Sequence, residues 1–204
     1  MNEPTPVAAP EPKRGKFRPV VIWPDARLAQ PCESYEVVTD EVRALLDDMV
    51  ATMDHCNGSG LAAPQVGVNR RAIVLRVRKV ADPAKPEAVE HEIVYLVNPE
   101  PTFASEETQT GAEGCLSFPG LHFPSRRPKV VRVKALGYDG APFEIGGDGL
   151  LAVALMHEID HLNGVLIIDA LSNLKRDVLR RKLTKLKARG LRYRSPEEIA
   201  EARK

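Results

Sequence analysis

The sequence predicts an α+β fold in which small antiparallel sheets pack around a central helix. An amphipathic helix is expected near the N-terminus and a further helix near the C-terminus. Segments rich in β-branched residues precede the apolar run 150–156, which has the composition of a buried helix. Strands and helices do not alternate in the manner of repeated βαβ units, and this favours α+β over a parallel sheet.

The composition is that of an ordinary globular protein. The chain has 204 residues, of which 43% are hydrophobic and 28% are charged, and its formal net charge is +1. This balance gives no general reason to expect a nucleic-acid binder. Three cysteines, Cys32, Cys56 and Cys115, form no even set for disulfides. With no signal-peptide segment and no apolar run that could cross a bilayer, we expect a cytoplasmic protein without membrane contact.

Three regions divide the chain. Residues 1–16 are rich in proline, and we interpret them as a disordered tail. Residues 17–194 are expected to form a single catalytic domain that ends in a basic helix. Residues 195–204 then form a short C-terminal extension, which begins with a pattern typical of a helix start.

The elements within the domain follow from local patterns. Phe17–Trp23 is predicted to be extended. An amphipathic helix is predicted over 40–57, capped by Thr39 or Asp40 and stopped by Gly58. Its apolar face comprises Val42, Leu45, Leu46, Met49, Val50 and Met53.

Later segments favour strands and then the central helix. Strands are predicted over 71–77, 92–97 and 129–136, with a longer loop over 78–91. Asp139-Gly140 is typical of a hairpin turn, and Asp148 is a candidate N-cap of the central helix.

The C-terminal helix is densely basic. Its predicted apolar stripe comprises Leu171, Leu174, Val178, Leu183 and Leu186. The cations around it are Lys175, Arg176, Arg180, Arg181, Lys182, Lys185, Lys187, Arg189, Arg192 and Arg194. A simple solvated face and a surface for a polyanionic partner are equally compatible with this pattern.

The central helix carries the pattern H-E-x-x-H at His157-Glu158-Ile159-Asp160-His161. Two histidines four residues apart lie on one side of a helix and can bind one divalent metal ion. The carboxylate between them is then placed to act on a water molecule at that metal. The alternative is a helix with two histidines in ordinary hydrogen bonds and a solvent-exposed glutamate.

Two further segments add candidate site residues. Cys115 is the best candidate for a third ligand, because a thiolate is a strong, soft donor, although a lone cysteine is more often a small buried hydrophobe. Cys32 and Cys56 fit that second description. Gln65 ends the small-residue segment 58–65 and could direct an amide N–H at a developing oxyanion, although such a segment is more often only a turn.

Taken together, three ordered motifs resemble those of the peptide deformylases of bacteria. They are Gly58-Ser59-Gly60-Leu61-Ala62-Ala63-Pro64-Gln65, Glu113-Gly114-Cys115-Leu116-Ser117 and His157-Glu158-Ile159-Asp160-His161. The resemblance extends over roughly residues 17–189. It implies hydrolysis of the formyl group from the N-terminal formyl-methionine of nascent polypeptides, with release of formate.

The resemblance also implies residue roles. Cys115, His157 and His161 bind one metal ion, most commonly Fe²⁺ in the cell, with Zn²⁺, Ni²⁺ or Co²⁺ possible and no other cofactor. Glu158 is the general base and then the acid, while the Gln65 amide and the Leu116 backbone N–H stabilise the oxyanion. The basic C-terminal helix is expected to dock on the ribosome.

Substrate binding is expected around these groups. Gly60 docks the peptide as an added strand. The wall of the methionine pocket is assigned to Gly58, Ser59, Gly60, Leu150, Val153 and Ala154, for which core packing is the alternative. Glu113 is also assigned to the substrate-binding residues, and it is expected to form an ion pair with Arg127.

Three residues depart from the family pattern. Met156 stands where glutamine is usual, Asn163 where aspartate is frequent, and His122 where arginine is frequent in bacterial members. They leave the details of peptide contact open. The sequence has two alternative interpretations, an endopeptidase of the H-E-x-x-H type and a non-catalytic ribosome-associated protein. A base and an oxyanion donor would be unnecessary in the latter.

Overall fold

The computed structural model describes residues 12–80, 89–188, 190, 192 and 193. Within them lie three helices, α1 (Asp40–His55), α2 (Gly149–Leu162) and α3 (Asn173–Ala188). The strands are β1 (Gly60–Ala62), β2 (Ala72–Val80), β3 (Val89–Ala104), β4 (Thr108–Gly114), β5 (His122–Pro128), β6 (Val130–Leu136) and β7 (Pro142–Asp148). The α+β fold class is confirmed.

Two antiparallel sheets organise the chain. Five strands form one sheet in the order β1-β2-β3-β6-β7, and β4 pairs with β5 in a separate two-stranded sheet. β1 therefore lies at an edge of the larger sheet. The predicted loop over 78–91 is partly wrong, because Arg78, Lys79 and Val80 pair with His91, Glu90 and Val89 and extend the hairpin. The remainder of that loop, 81–88, lies outside the described residues.

Alternation along β2 and β3 places one helix on each face of the large sheet. Ala72, Val74 and Val97 pack in the core cluster that contains α1. Ile73, Leu75 and Leu96 pack in the cluster that contains α2. The site helix α2 is consequently held across the sheet through Ala152, Leu155, Ile159 and Leu162.

Helix α1 begins as predicted and ends slightly earlier. The Thr39 hydroxyl accepts a hydrogen bond from the Val42 N–H, and the helix ends at His55. Gly58 does not provide the left-handed residue after the helix, because Asn57 does so with φ 54°. Asparagine tolerates this conformation because its short polar side chain can bond locally.

Helix α2 differs from the prediction at its first turn. Asp148 occupies the N-cap position, but its side chain makes no capping hydrogen bond. Leu150 is 87% exposed, so core packing of this side chain is excluded. The strand over Val130–Leu136 and the turn at Asp139-Gly140 are confirmed, with alternate residues of β6 buried.

Helix α3 packs through part of the predicted stripe, because Leu171, Leu183 and Leu186 pack against the core whereas Leu174 and Val178 do not. Leu183 is buried, and Leu171, Leu179 and Leu186 are partly buried against the same cluster. Leu174 and Val178 are solvent-exposed, so their predicted place in the stripe is wrong. The face of α3 that packs against the core therefore contains Leu179, Leu183 and Leu186, which are spaced by four and three residues.

Several segments with predicted structure lie outside the described residues. Most of the predicted N-terminal tail, residues 1–11, lies outside them, as do Arg189, Arg194 and the extension 195–204. Among the helices described, none is both long and apolar enough to cross a membrane.

Burial predicts a strong difference in thiol reactivity between folded and unfolded protein. Cys32 and Cys56 are buried, and burial raises the pKa of each thiol to about 11. Neither will form adducts with iodoacetamide at neutral pH in the folded protein, because the thiolate is the reactive species. Peptide mass spectrometry after labelling of native and denatured samples checks this. Equal labelling of either cysteine in both samples would show the prediction to be wrong.

Candidate metal centre

Three side chains from two elements converge at one point. Cys115 directly follows β4, and His157 and His161 lie one turn apart on α2. Candidate ligand atoms of the three residues all lie within 4.8 Å of one another. Cys115 Sγ and His161 Nε2 are 3.2 Å apart, and the two imidazole rings are nearly perpendicular, at 81°. A thiolate and two imidazoles in this arrangement suit a single transition-metal ion.

A buried ion-pair network orients His157. Its Nδ1 lies 2.7 Å from Glu113 Oε2, so its Nε2 is left for the cluster. Arg127 donates to both oxygens of Glu113, at 2.7 and 2.9 Å, and to Asp160 at 2.5 Å. Burial alone would raise the pKa of Glu113, but the hydrogen bonds from Arg127 and His157 hold it well below its ordinary value. The predicted Glu113–Arg127 pair is confirmed.

The two histidines sit in different electrostatic environments. Burial, together with the positive charges of His157 and Arg127, lowers the pKa of His161 to about 3, so its imidazole is neutral. Burial opposes protonation of His157 too, but hydrogen bonds with Cys115 and Glu113 outweigh it and raise its pKa. Cys115 and Glu113 thus attract positive charge to this point, whether a proton or a metal cation carries it.

Glu158 is buried beside the cluster with an incomplete set of hydrogen bonds. Its Oε2 has no partner among the described residues, which is unusual for a buried carboxylate. Burial is the main cause that raises its pKa to about 7. A carboxyl group of that pKa exchanges a proton readily near neutral pH.

Edge strand β1 approaches Glu158 closely through Gly60. A Cβ atom on Gly60 would lie 2.4 Å from Glu158 Oε1, closer than such atoms can approach. Glycine is therefore required here by space, since a side chain would displace the carboxylate.

Gln65 is fixed with its amide nitrogen toward the cluster. Its Oε1 accepts a hydrogen bond from the Ala62 N–H at 2.8 Å. Its Nε2 then faces Cys115 Sγ at 3.5 Å and Ser117 Oγ at 3.3 Å. The orientation is that required of a donor to a group bound at the metal centre.

The remaining predicted site residues differ in their contacts and in their exposure to solvent. Leu116 follows Cys115, and a Cβ on Gly58 would lie 2.9 Å from Leu116 Cδ1. Ser59 accepts a hydrogen bond from the Arg76 N–H through its carbonyl oxygen. Val153 and Ala154 are partly buried on α2, and Leu150 extends into solvent two turns before His157.

The three departures from the family pattern have identifiable environments. Asn163 caps the end of α2 and accepts a hydrogen bond from Arg71 at 2.9 Å. Met156 packs against the α2 core cluster. His122 is exposed and pairs with Gly114 in the β4–β5 sheet.

Two residues of the centre were not predicted from the sequence. Ser117 is fully buried beside the Gln65 amide, and Asp160 completes the arginine network. Their signal was present within the motifs themselves. Ser117 is the last residue of the cysteine motif, and Asp160 is an acid on a mostly apolar helix.

Comparisons with known proteins agree with this geometry. The family model described as polypeptide deformylase matches residues 17–177. A peptide deformylase of Methylocella silvestris is 48% identical over 169 residues, which cover 83% of this chain and 84% of that protein. A peptide deformylase of Pseudomonas aeruginosa is 45% identical over 166 residues, with 81% and 94% covered.

Solved structures give the same result. The crystal structure of peptide deformylase from Ehrlichia chaffeensis superposes with a TM-score of 0.76 at 39% identity, covering 84% of this chain and 97% of that one. The structure of the same protein in complex with actinonin gives a TM-score of 0.75, also at 39% identity, covering 83% and 97%.

The Glu113 network predicts a specific weakening of metal binding. Glu113→Gln keeps the shape of the side chain but removes the charge that orients His157. We expect metal affinity to fall about ten- to a hundredfold. Competition with a chromogenic chelator measures this.

Glu107→Gln provides the matched control, because Glu107 pairs with Lys129 in an exposed ion pair next to the same hairpin. Equal affinities of the Glu113→Gln variant and the control would contradict an orienting role.

Proposed function

The chain belongs to the polypeptide deformylase family, and from that premise we propose that it removes the formyl group from the N-terminal formyl-methionine of nascent polypeptides. The products are formate and a free α-amino group. One observation carries the assignment of the chemistry to particular residues. A buried Glu158 carboxylate, whose Oε2 has no hydrogen-bond partner among the described residues, and a fixed Gln65 amide both lie beside the Cys115, His157 and His161 cluster.

Cys115, His157 and His161 hold one divalent metal ion in this proposal. The donor set fits, since one thiolate and two imidazoles bind Fe²⁺, Zn²⁺, Ni²⁺ or Co²⁺, and availability decides among them. We assign Fe²⁺ as the ion in the cell. When bound, the ion supplies Lewis acidity, which polarises the formyl carbonyl and makes a neighbouring water more acidic.

Glu158 moves the proton. Its carboxylate accepts a proton from the water that attacks the formyl carbon. The same carboxyl group then gives the proton to the amine nitrogen as the C–N bond breaks. Burial raises the pKa of this carboxyl group, which favours its acceptance of a proton from water.

The oxyanion that develops on the formyl oxygen is stabilised by two donors. One is the Gln65 amide, whose orientation Ala62 maintains. The other is the backbone N–H of Leu116, next to the ligand Cys115. Donors already in place cost no reorganisation during the reaction, and each is worth about a hundred- to a thousandfold in rate.

The substrate peptide binds along β1. Gly60 lies on an edge strand of the large sheet, where a peptide can add as a further strand. Gly58, Ser59, Val153, Ala154 and the exposed Leu150 wall the space for the methionine side chain. Glu113 contributes by orienting His157, because both of its oxygens are already bound by Arg127 and His157.

The identity of the third metal ligand distinguishes this function from that of an H-E-x-x-H endopeptidase. Such enzymes normally take it from a histidine or glutamate downstream of the motif, whereas here the nearby donor is the upstream Cys115. Casein digestion tests this alternative directly.

A ribosomal partner is proposed on separate grounds. Arg181, Lys182 and Lys185 are exposed on α3, and the exposed surface of this helix is strongly basic. Phosphate-rich RNA attracts such a surface through release of counterions. Action on nascent chains in the cytoplasm is consistent with this location.

The deciding experiment measures formate released from formyl-Met-Ala-Ser by anaerobically purified protein loaded with iron or nickel. Wild-type protein is expected to turn over rapidly. Glu158→Gln should lose about a hundred- to ten-thousandfold in kcat, because it cannot accept a proton. No formate from fully metallated wild type would refute the proposed activity.

The close approach at Gly60 gives a second test of the proposed base. Gly60→Ala must shift Glu158, and displacement of a catalytic group by about 1 Å can cost on the order of a hundredfold in rate. Metal content should remain that of the wild type. Gly111→Ala is the matched control, because a Cβ on Gly111 of β4 meets nothing within 4 Å. Comparable activity of the two variants would argue against the close contact.

Docking through α3 predicts a charge-specific loss of ribosome binding. Replacing Arg181, Lys182 and Lys185 by glutamine should abolish co-sedimentation with ribosomes and leave hydrolysis of free peptide unchanged. The same change at Lys129, Arg132 and Lys134, exposed around β6, serves as the control. Co-sedimentation that survives in the α3 variant would rule the helix out as the docking surface.

A further inference from the structure

After α3, the structure describes Gly190, Arg192 and Tyr193. Gly190 has a left-handed backbone, with φ 89°, and its N–H donates to the Lys187 carbonyl at 3.0 Å. This hydrogen bond closes a turn after the helix, and glycine adopts the left-handed conformation without strain. Three residues later, Tyr193 is half-buried against the body of the protein.

Tyr193 packs on a small buried cluster behind the cysteine motif. Val20, Ile22 and Cys56 form this cluster, which we call the Cys56 cluster. Phe17, Leu116 and Tyr193 are the partly buried side chains packed against it. Leu116 is therefore connected through one shared cluster to a side chain 77 positions later in the sequence.

Leu116 has two close neighbours besides the metal ligand. Its Cδ1 lies so near Gly58 that a Cβ there would be 2.9 Å away. Leu116 also packs against the Cys56 cluster, as Tyr193 does.

We propose that Tyr193 is a positioning residue that presses the Cys56 cluster against Leu116 and so holds the Leu116 backbone N–H in place. The inference rests on the proposed role of that N–H in deformylation. It assigns a catalytic contribution to the segment after α3, which none of the three motifs contains. The aromatic ring provides the contact, so the hydroxyl is dispensable.

The test compares Tyr193→Ala and Tyr193→Phe with wild type in the nickel-loaded, full-length protein. Val178→Ala is the control, because Val178 is an exposed apolar residue of α3. Three kinds of measurement are made. The first is the amount of bound nickel, and the second is hydrogen exchange of the amides in residues 115–118 by mass spectrometry. The third is steady-state kinetics, which give kcat and KM for formyl-Met-Ala-Ser and for formyl-methionine amide.

The proposal expects a local effect. Tyr193→Ala should speed exchange in 115–118 and lower kcat about tenfold on both substrates, a part of the loss seen when an oxyanion donor is removed. KM and nickel content should hardly change, and Tyr193→Phe should restore wild-type behaviour. Val178→Ala should alter none of these quantities.

Other results overturn it. Unchanged exchange in 115–118 excludes the positioning role whatever the activity. A loss confined to the tripeptide indicates direct contact with the peptide, and exchange that rises throughout the chain indicates general destabilisation. If wild type releases no formate while exchange changes locally as expected, the proposed function fails and the packing of Leu116 by Tyr193 stands.

Discussion

The hydrogen bond between His157 Nδ1 and Glu113 is the interaction on which the candidate site depends. A carboxylate as buried as Glu113 is costly unless it is paired, and Arg127 pairs it through two bonds while also binding Asp160. The network joins β4, β5 and α2. It thereby places the cysteine at the end of β4 beside the two histidines, and it determines which imidazole nitrogen of His157 faces the cluster.

The candidate site also depends on the large sheet, which holds α2 in position. Alternate residues of β2 point to opposite faces of the sheet, so α1 packs on one apolar face and α2 on the other. Because α2 crosses the sheet near its edge strand, Glu158 comes to rest against the backbone of Gly60. The carboxylate is consequently shielded from water on the sheet side, which accounts for its raised pKa and its unpartnered oxygen.

Patterns among neighbouring residues predict much of this structure from the sequence. Contacts between residues that are distant in the sequence could not be predicted in this way. The period of α1, the alternation of β6 and the spacing of His157 and His161 are properties of neighbouring residues. Arg127 and Asp160 meet across 33 positions, so no local pattern on either element reports their contact. The predicted stripe of α3 is wrong only at Leu174 and Val178, which have helical spacing, because packing alone decides which apolar residues face the core. The donor chemistry of a thiolate makes Cys115 a candidate ligand, and the resemblance of its motif implies the role, because a lone cysteine has no spacing to analyse.

The charges of the molecule operate in two different dielectric settings. Glu113 is buried and its partners Arg127 and Asp160 are partly buried, whereas the charges on the outer face of α3 are surrounded by solvent. Dissolved ions screen exposed charges beyond roughly 8 Å at physiological ionic strength but have little access to enclosed ones. Changes in ionic strength therefore alter the long-range attraction exerted by α3 and leave the orientation of His157 untouched. The salt concentration around the protein can thus change how strongly α3 attracts anionic partners without changing the geometry of the metal centre.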